Sequence, residues 1–120
     1  MGKSKIVLIG PPGAGKSTVG KALAKILNLN FVDSDREIEN NTGRKISEIF
    51  VEDGEEFFRK IELSTVSDLL ENFEGVISLG GGAPINPKIQ QILKDAEFPV
   101  VFLDVSISQA ANRILSLIHI

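Results

Sequence analysis

The apolar positions of this 120-residue chain change period several times, and each change marks an element. Ile6-Val7-Leu8-Ile9 is an unbroken, largely β-branched run that ends at Gly10. Such a run suits a strand covered on both faces, as in a parallel sheet. Helical spacing follows: Val19, Leu23, Ile26 and Leu27 predict a helix over Lys16 to Leu27, broken at Asn28-Leu29-Asn30. Phe31-Val32 reads as a second strand ending at Asp33, and Arg36 to Asn41 as one or two helical turns stopped by Gly43. Ile46 to Asn72 is mostly helical, with a break expected at Gly54 and Phe58, Ile61, Leu69 and Phe73 near one stripe. Val76-Ile77-Ser78-Leu79 is a third strand, closed by Gly80-Gly81-Gly82. Pro87 opens a short helix to Lys94, Val100 to Leu103 is a fourth strand, and Ser108 to Arg113 begins another helix. Strands alternating with helices predict one α/β domain, a parallel sheet with helices on both faces.

Composition narrows the chemistry. Thirteen Lys and Arg against sixteen Asp and Glu give a net charge of −3, which argues against a nucleic-acid footprint. No apolar run nears the length of a membrane span, and no secretory leader is evident. With no Cys, thiol nucleophiles, disulfides and zinc thiolate sites are excluded, and a single His at 119 leaves no His-based triad. A cytoplasmic, monomeric protein is expected, with no nucleic-acid or membrane partner. Asn40-Asn41-Thr42 fits a glycosylation acceptor, but without an export signal it carries no weight. The seven Phe are expected in the core.

Gly10-Pro11-Pro12-Gly13-Ala14-Gly15-Lys16-Ser17 satisfies G-x-x-x-x-G-K-[ST] in full, between an apolar strand and a helix. Its glycines permit a turn whose amides point inward as an anion nest, at the positive end of the next helix. Lys16 adds a charge that reaches the β- and γ-phosphates, and Ser17 offers a hydroxyl to Mg²⁺. The dinucleotide pattern fails, because Thr18 stands where its third glycine belongs. Asp33-Ser34-Asp35 follows the second strand, at the carboxyl end where open parallel sheets bind ligands. One carboxylate there can face the water shell of a metal and the other an acceptor substrate; equally, Asp35 can be a helix cap and Asp33 a solvated acid. An EF-hand is excluded by Ile38 in place of its glycine. Arg59 and Glu62 share a helix face, as a site pair or as a surface ion pair. Three successive glycines, 80–82, make sense where backbone approaches a ligand; a plain flexible loop is the alternative.

In order along the chain, the loop ending Gly15-Lys16-Ser17-Thr18, Phe31 to Asp35, Ile46 to Phe50, Gly54-Glu55, Phe58-Arg59-Lys60-Ile61-Glu62 and Gly80 to Gly82 resemble shikimate kinase, from about Lys5 to Arg113. The phosphate loop alone is widespread; the ordered set of Asp-x-Asp, Phe-Arg-x-x-Glu and triple Gly is much more specific. The resemblance implies a three-layer α/β/α P-loop kinase, with four strands here and five in an intact domain. It implies ATP and shikimate as substrates, Mg²⁺ as cofactor, and transfer of phosphate to the shikimate 3-hydroxyl. Gly13, Ala14, Gly15, Lys16, Ser17 and Thr18 would hold the nucleotide phosphates, and Arg113 would flank the adenine. Ser17 and Asp33 would hold the metal, Asp33 through water. Asp35 would bind the shikimate hydroxyls and act as base, Arg59 would pair the carboxylate, and Gly81 would contact substrate through its backbone. Gluconate kinase and a noncatalytic nucleotide-binding module are the competing readings. Past Arg113 the family continues with an Arg-bearing lid, a fifth strand, a second carboxylate-binding Arg and a final helix. Residues 114–120, Ile-Leu-Ser-Leu-Ile-His-Ile, do not match, so an incomplete domain with an artefactual tail and little activity is expected.

Overall fold

The computed structural model describes residues 4–11 and 15–103. The elements are β1 (Lys5–Ile9), α1 (Lys16–Leu27), β2 (Phe31–Asp33), α2 (Ser34–Thr42), α3 (Ile46–Asn72), β3 (Gly75–Ser78), a 3-10 turn (Ala83–Ile85), α4 (Pro87–Lys94) and β4 (Val100–Phe102). The strands form one parallel sheet in the order β2-β3-β1-β4. The helix expected from Ser108 lies outside the described residues, as does the 114–120 tail.

Strict alternation along the strands divides the interior into two layers. Leu8 and Val76, with Ile6 and Phe31 beside them, face Val19 and Ala24 of α1. Val7 and Ile77, with Ile9 and Val32, face Val66, Leu69 and Leu70 of α3 and Ile89 of α4. Both faces being covered explains why the strands read as continuous apolar runs rather than alternating ones. A third cluster, Ile38, Ile49 and Phe58, joins α2 to the first half of α3 away from the sheet. The seam is clamped at the surface by Arg44, which pairs Asp53 at 2.6 Å and Glu52 at 2.8 Å.

Several boundaries differ by a residue or two from the sequence reading: β1 starts at Lys5, α2 runs to Thr42, β3 ends at Ser78 and β4 at Phe102. Helix α2 starts at Ser34, two residues early, because Asp33 caps it: Oδ1 accepts from the amides of Asp35 at 2.9 Å and Arg36 at 3.2 Å. Asp33, not Asp35, is therefore the cap. Strand β3 begins at Gly75, where φ is 140° and the Asn30 carbonyl leaves no room for a Cβ. The break in α3 falls at Gly54, with φ 88° and ψ 167°. β4 lies at a sheet edge with Phe102 60% exposed. Lys5 is buried at the opposite end of the sheet from the glycine turns, its ammonium donating to the Leu70 carbonyl and lying over the Phe98 ring.

Ile77 is fully buried on the central strand pair, so Ile77→Ala leaves a cavity in the α3–α4 layer. A loss of about 2–5 kcal/mol is expected, read as a lower urea midpoint at unchanged m-value.

Candidate functional site

The site lies at the carboxyl ends of the strands, where β1, β2 and β3 each hand over to a turn or helix. After β1 the chain passes Gly10, whose missing Cβ makes room for the Leu103 carbonyl, and enters α1 through Gly15 in the left-handed region at φ 85°. Gly15 thereby aims the first amides of α1 toward the loop, the polarity that favours an anion. Lys16 turns its ammonium onto the carbonyls of Gly10 at 2.6 Å and Pro11 at 3.0 Å. Burial lowers its pKa, while the charges of Asp33 and Asp35 oppose that shift. Thr18 is exposed on the first turn of α1. Gly13 and Ala14, and Arg113 likewise, lie outside the described residues.

Ser17 and Asp33 meet directly: the Ser17 hydroxyl donates to Asp33 Oδ2 at 2.8 Å. One carboxylate so fastens α1, β2 and α2 together, with Oδ1 spent on the helix cap. No group of three or more His, Cys, Asp or Glu that could hold a metal is present among the described residues. The Ser17–Asp33 pair offers hard oxygen donors, a hydroxyl and one carboxylate. That set suits a cation that keeps several waters and takes other ligands from bound phosphate, as Mg²⁺ does. A cleft of about 570 Å³ opens alongside, lined by Ser17, Lys21, Asp33, Asp35, Arg36 and Glu39 among others.

Asp35 projects from the first turn of α2 toward the glycine turn. A Cβ on Gly80 would collide with its carboxylate, so the absence of a side chain there is what admits Asp35. The same approach is fixed by Ser34, fully buried, whose Oγ accepts from the Gly80 amide at 2.9 Å. Burial chiefly, then the charges of Asp33, Glu62 and Glu39, push the Asp35 pKa up to about 6, against the pull of Lys16.

Arg59, on α3, is held from several sides. Its Nη1 donates to Glu62 at 2.7 Å and its Nη2 lies 3.5 Å from Glu55. The guanidinium also lies over the rings of Phe58 at 5.2 Å and Phe50 at 5.8 Å. Burial opposes its charge, but the hydrogen bond and charges of Glu62 and Glu55 outweigh that and raise its pKa. Glu62 is 1% exposed, so this is no surface ion pair. A Cβ on Gly82 would stand 2.6 Å from Arg59 Nη1, so the turn admits Arg59 at one glycine and Asp35 at another. Gly81 sits between them, half-buried.

The structure thus gathers Lys16, Ser17, Asp33 and Asp35 at one end of the sheet. The glycine turn links that group to Arg59. Sequence reasoning gave no part to Ser34, took glycines 80–82 only as a group, and paired Glu62 with Arg59 while leaving a surface ion pair open. The run of three glycines was the signal for Gly80 and Gly82, and the i,i+3 spacing to Arg59 for Glu62; no local pattern pointed to Ser34.

The family model described as "Shikimate kinase" matches residues 12–117. A curated relative from Rhodococcus erythropolis, named "Shikimate kinase", is 50% identical over 111 residues, 92% of this chain and 64% of its own length. A solved structure, "Shikimate kinase from Acinetobacter baumannii in complex with shikimate", matches with a TM-score of 0.81 and 39% identity over 92% of this chain and 62% of its own. A gluconokinase from Sinorhizobium meliloti matches at 20% identity with a TM-score of 0.51, a likeness of fold alone. The chain spans just under two thirds of the length of the relatives it matches.

A carboxyl whose pKa rises from 3.8 to about 6 makes the folded chain hold a proton that the unfolded chain has lost. Stability is then lost as pH climbs through that window, and the deficit is full above it. Asp35→Asn should therefore raise the Tm of the ligand-free protein by several degrees at pH 7.5, with the difference vanishing near pH 4. A gain that is equal at both pH values would mean that the carboxylate charge is not its source.

Proposed function

The chain belongs to the shikimate kinase family, and from that premise we propose that its site transfers the γ-phosphoryl group of ATP to the 3-hydroxyl of shikimate, giving shikimate 3-phosphate and ADP. The observation that carries this reading is the glycine turn, which seats Asp35 at Gly80 and Arg59 at Gly82. A proton acceptor and a carboxylate-binding cation are so mounted on one piece of backbone, beside a phosphate loop.

Each residue then has a task set by its surroundings. Gly13 to Thr18 hold the triphosphate, Lys16 compensating the charge on the β- and γ-phosphates. Ser17 and Asp33 would hold Mg²⁺, Asp33 through water, and the bound ion would neutralise charge on the phosphate oxygens. Asp35 orients the acceptor hydroxyl. Its pKa near 6 leaves it ionised at neutral pH yet basic enough to receive the proton as the hydroxyl oxygen bonds to the γ-phosphorus and the bond to the ADP oxygen breaks. Arg59, presented by Glu62, pairs the shikimate carboxylate, Gly81 adds a backbone contact, and Arg113 flanks the adenine. Positioning and charge neutralisation do most of the work in such transfers. A monomer in the cytoplasm fits this reading.

The test is an ADP-release assay with shikimate, and with gluconate in parallel. It is run on the 120 residues and on a version extended with the matching segment of the Rhodococcus erythropolis relative. Shikimate-dependent turnover by the extended version, with much slower turnover by the 120 residues, is expected. Turnover with gluconate alone would shift the reading to the other kinase. Nucleotide binding without transfer in either version would leave a binding module.

Lys16→Ala should abolish measurable ATP binding with the fold intact, as seen by calorimetry and circular dichroism. Arg59→Ala should raise the KM for shikimate roughly 10- to 100-fold, the worth of a charge-assisted hydrogen bond, with little change in the KM for ATP. Because Ala would strand Glu62 as a buried charge, the pair Arg59→Ala with Glu62→Gln serves as the folded control. Equal effects on both substrates in that control would assign Arg59 a structural role.

A further inference from the structure

The chains leaving β2 and β3 diverge at the site, and one side chain holds them together. The β2–β3 ladder runs as far as Asp33 opposite Ser78. Beyond that pair β2 turns at once into α2, while the chain after β3 keeps to β1, the Leu79 amide donating to the Leu8 carbonyl at 3.0 Å. On the β2 side the next rung is made by a hydroxyl. Ser34 Oγ, fully buried, accepts from the Gly80 amide at 2.9 Å. The glycine turn is bonded within itself as well. The Gly80 carbonyl accepts from the Ala83 amide at 3.0 Å, and the Gly82 carbonyl from the Ile85 amide at 3.2 Å. Ser34 therefore fastens a closed unit of backbone to the first residue of α2.

The fastening matters because the two groups that would grip the acceptor ride on different helices. Asp35 is carried by α2 and seated at Gly80, whereas Arg59 is carried by α3 and seated at Gly82. The missing Cβ at Gly80 lets the Asp35 carboxylate approach, but contact sets only how near it can come. A hydrogen bond from the adjoining residue sets how far it can drift. That bond is buried, where water competes little and where an abandoned amide would be left unpaired. Resting on the kinase reading above, we propose that Ser34 is a positioning residue for the transfer: its hydroxyl fixes the span between the Asp35 carboxylate and the Arg59 guanidinium, and so the distance from the acceptor hydroxyl to the acid that receives its proton. Displacing a reacting group by about 1 Å can cost on the order of 10²-fold in rate. Arg59 meanwhile keeps its pairing with Glu62 on its own helix, so the grip on the substrate carboxylate survives loss of the hydroxyl. The effect falls on the transfer step rather than on binding.

The test takes the extended version described above as wild type, Ser34→Ala and Ser34→Thr. It combines steady-state kinetics for shikimate and ATP with amide hydrogen exchange at Gly80. Ser34→Ala should lower kcat about tenfold or more while both KM values stay within about threefold. Its Gly80 amide should lose the slow exchange seen in the wild type. Ser34→Thr, which retains the hydroxyl, should restore both the rate and the protection. The inference is overturned if Ser34→Ala loses protection at Gly80 yet keeps its kcat, or if it raises both KM values at unchanged kcat. It is equally overturned if Gly80 stays protected in Ser34→Ala, or if Ser34→Thr is as slow as Ser34→Ala. A wild type without shikimate-dependent turnover would remove the kinase reading itself, and this inference with it.

Discussion

Asp33 is the residue on which the described site turns. One carboxylate accepts three hydrogen bonds, two from the amides that begin α2 and one from the hydroxyl that begins α1. The oxygens are divided between these duties, Oδ1 for the cap and Oδ2 for Ser17. Helices α1 and α2 are thereby referred to a single strand end. Removing the carboxylate would release both at once.

A second anchor is the buried Ser34 hydroxyl, which accepts from the Gly80 amide. That bond ties α2 to the turn after β3 over 46 residues of sequence. Asp35 is the next residue along, so its carboxylate is aimed by backbone locked on both sides. The crowding of acids around it is deliberate chemistry: Asp33, Glu39 and Glu62 raise its proton affinity while Lys16 restrains the rise. Glu62 acts twice, steering Arg59 by contact and Asp35 through its charge.

Much of this was legible in the chain. Apolar run lengths gave the helices Lys16–Leu27 and Pro87–Lys94 with both ends correct, because Gly15 and Pro87 start them and Asn28 and Asp95 stop them through backbone chemistry. The start of α2 was missed because an Asp followed by Ser and another Asp offers more than one cap, and only the turn of the backbone after β2 decides among them. The phosphate-loop pattern and the Asp-x-Asp pair were legible from spacing, while the part expected of each acid came only from the family resemblance. The parts of Gly80, Gly82 and Ser34 depend on which strands become neighbours. The order β2-β3-β1-β4 places positions 33 and 78 side by side, and no local pattern encodes that.

Four of the glycines fall into two kinds with different freedom to change, while Gly10 and Gly75 combine a positive φ with backbone crowding. Gly43 and Gly54 adopt left-handed φ values of 68° and 88° with open space around the missing Cβ. What they supply is handedness, and at Gly43 Asn, which tolerates that region, is a workable replacement. Gly80 and Gly82 supply volume instead, already taken up by the Asp35 carboxylate and the Arg59 guanidinium. Every amino acid that a single base change can put in place of glycine carries a Cβ. Each such step at these two positions thrusts an atom into the space of a charged side chain. A substitution at Gly80 or Gly82 therefore displaces the Asp35 carboxylate or the Arg59 guanidinium from its seat, whereas the helix end at Gly43 can change without moving a charged group.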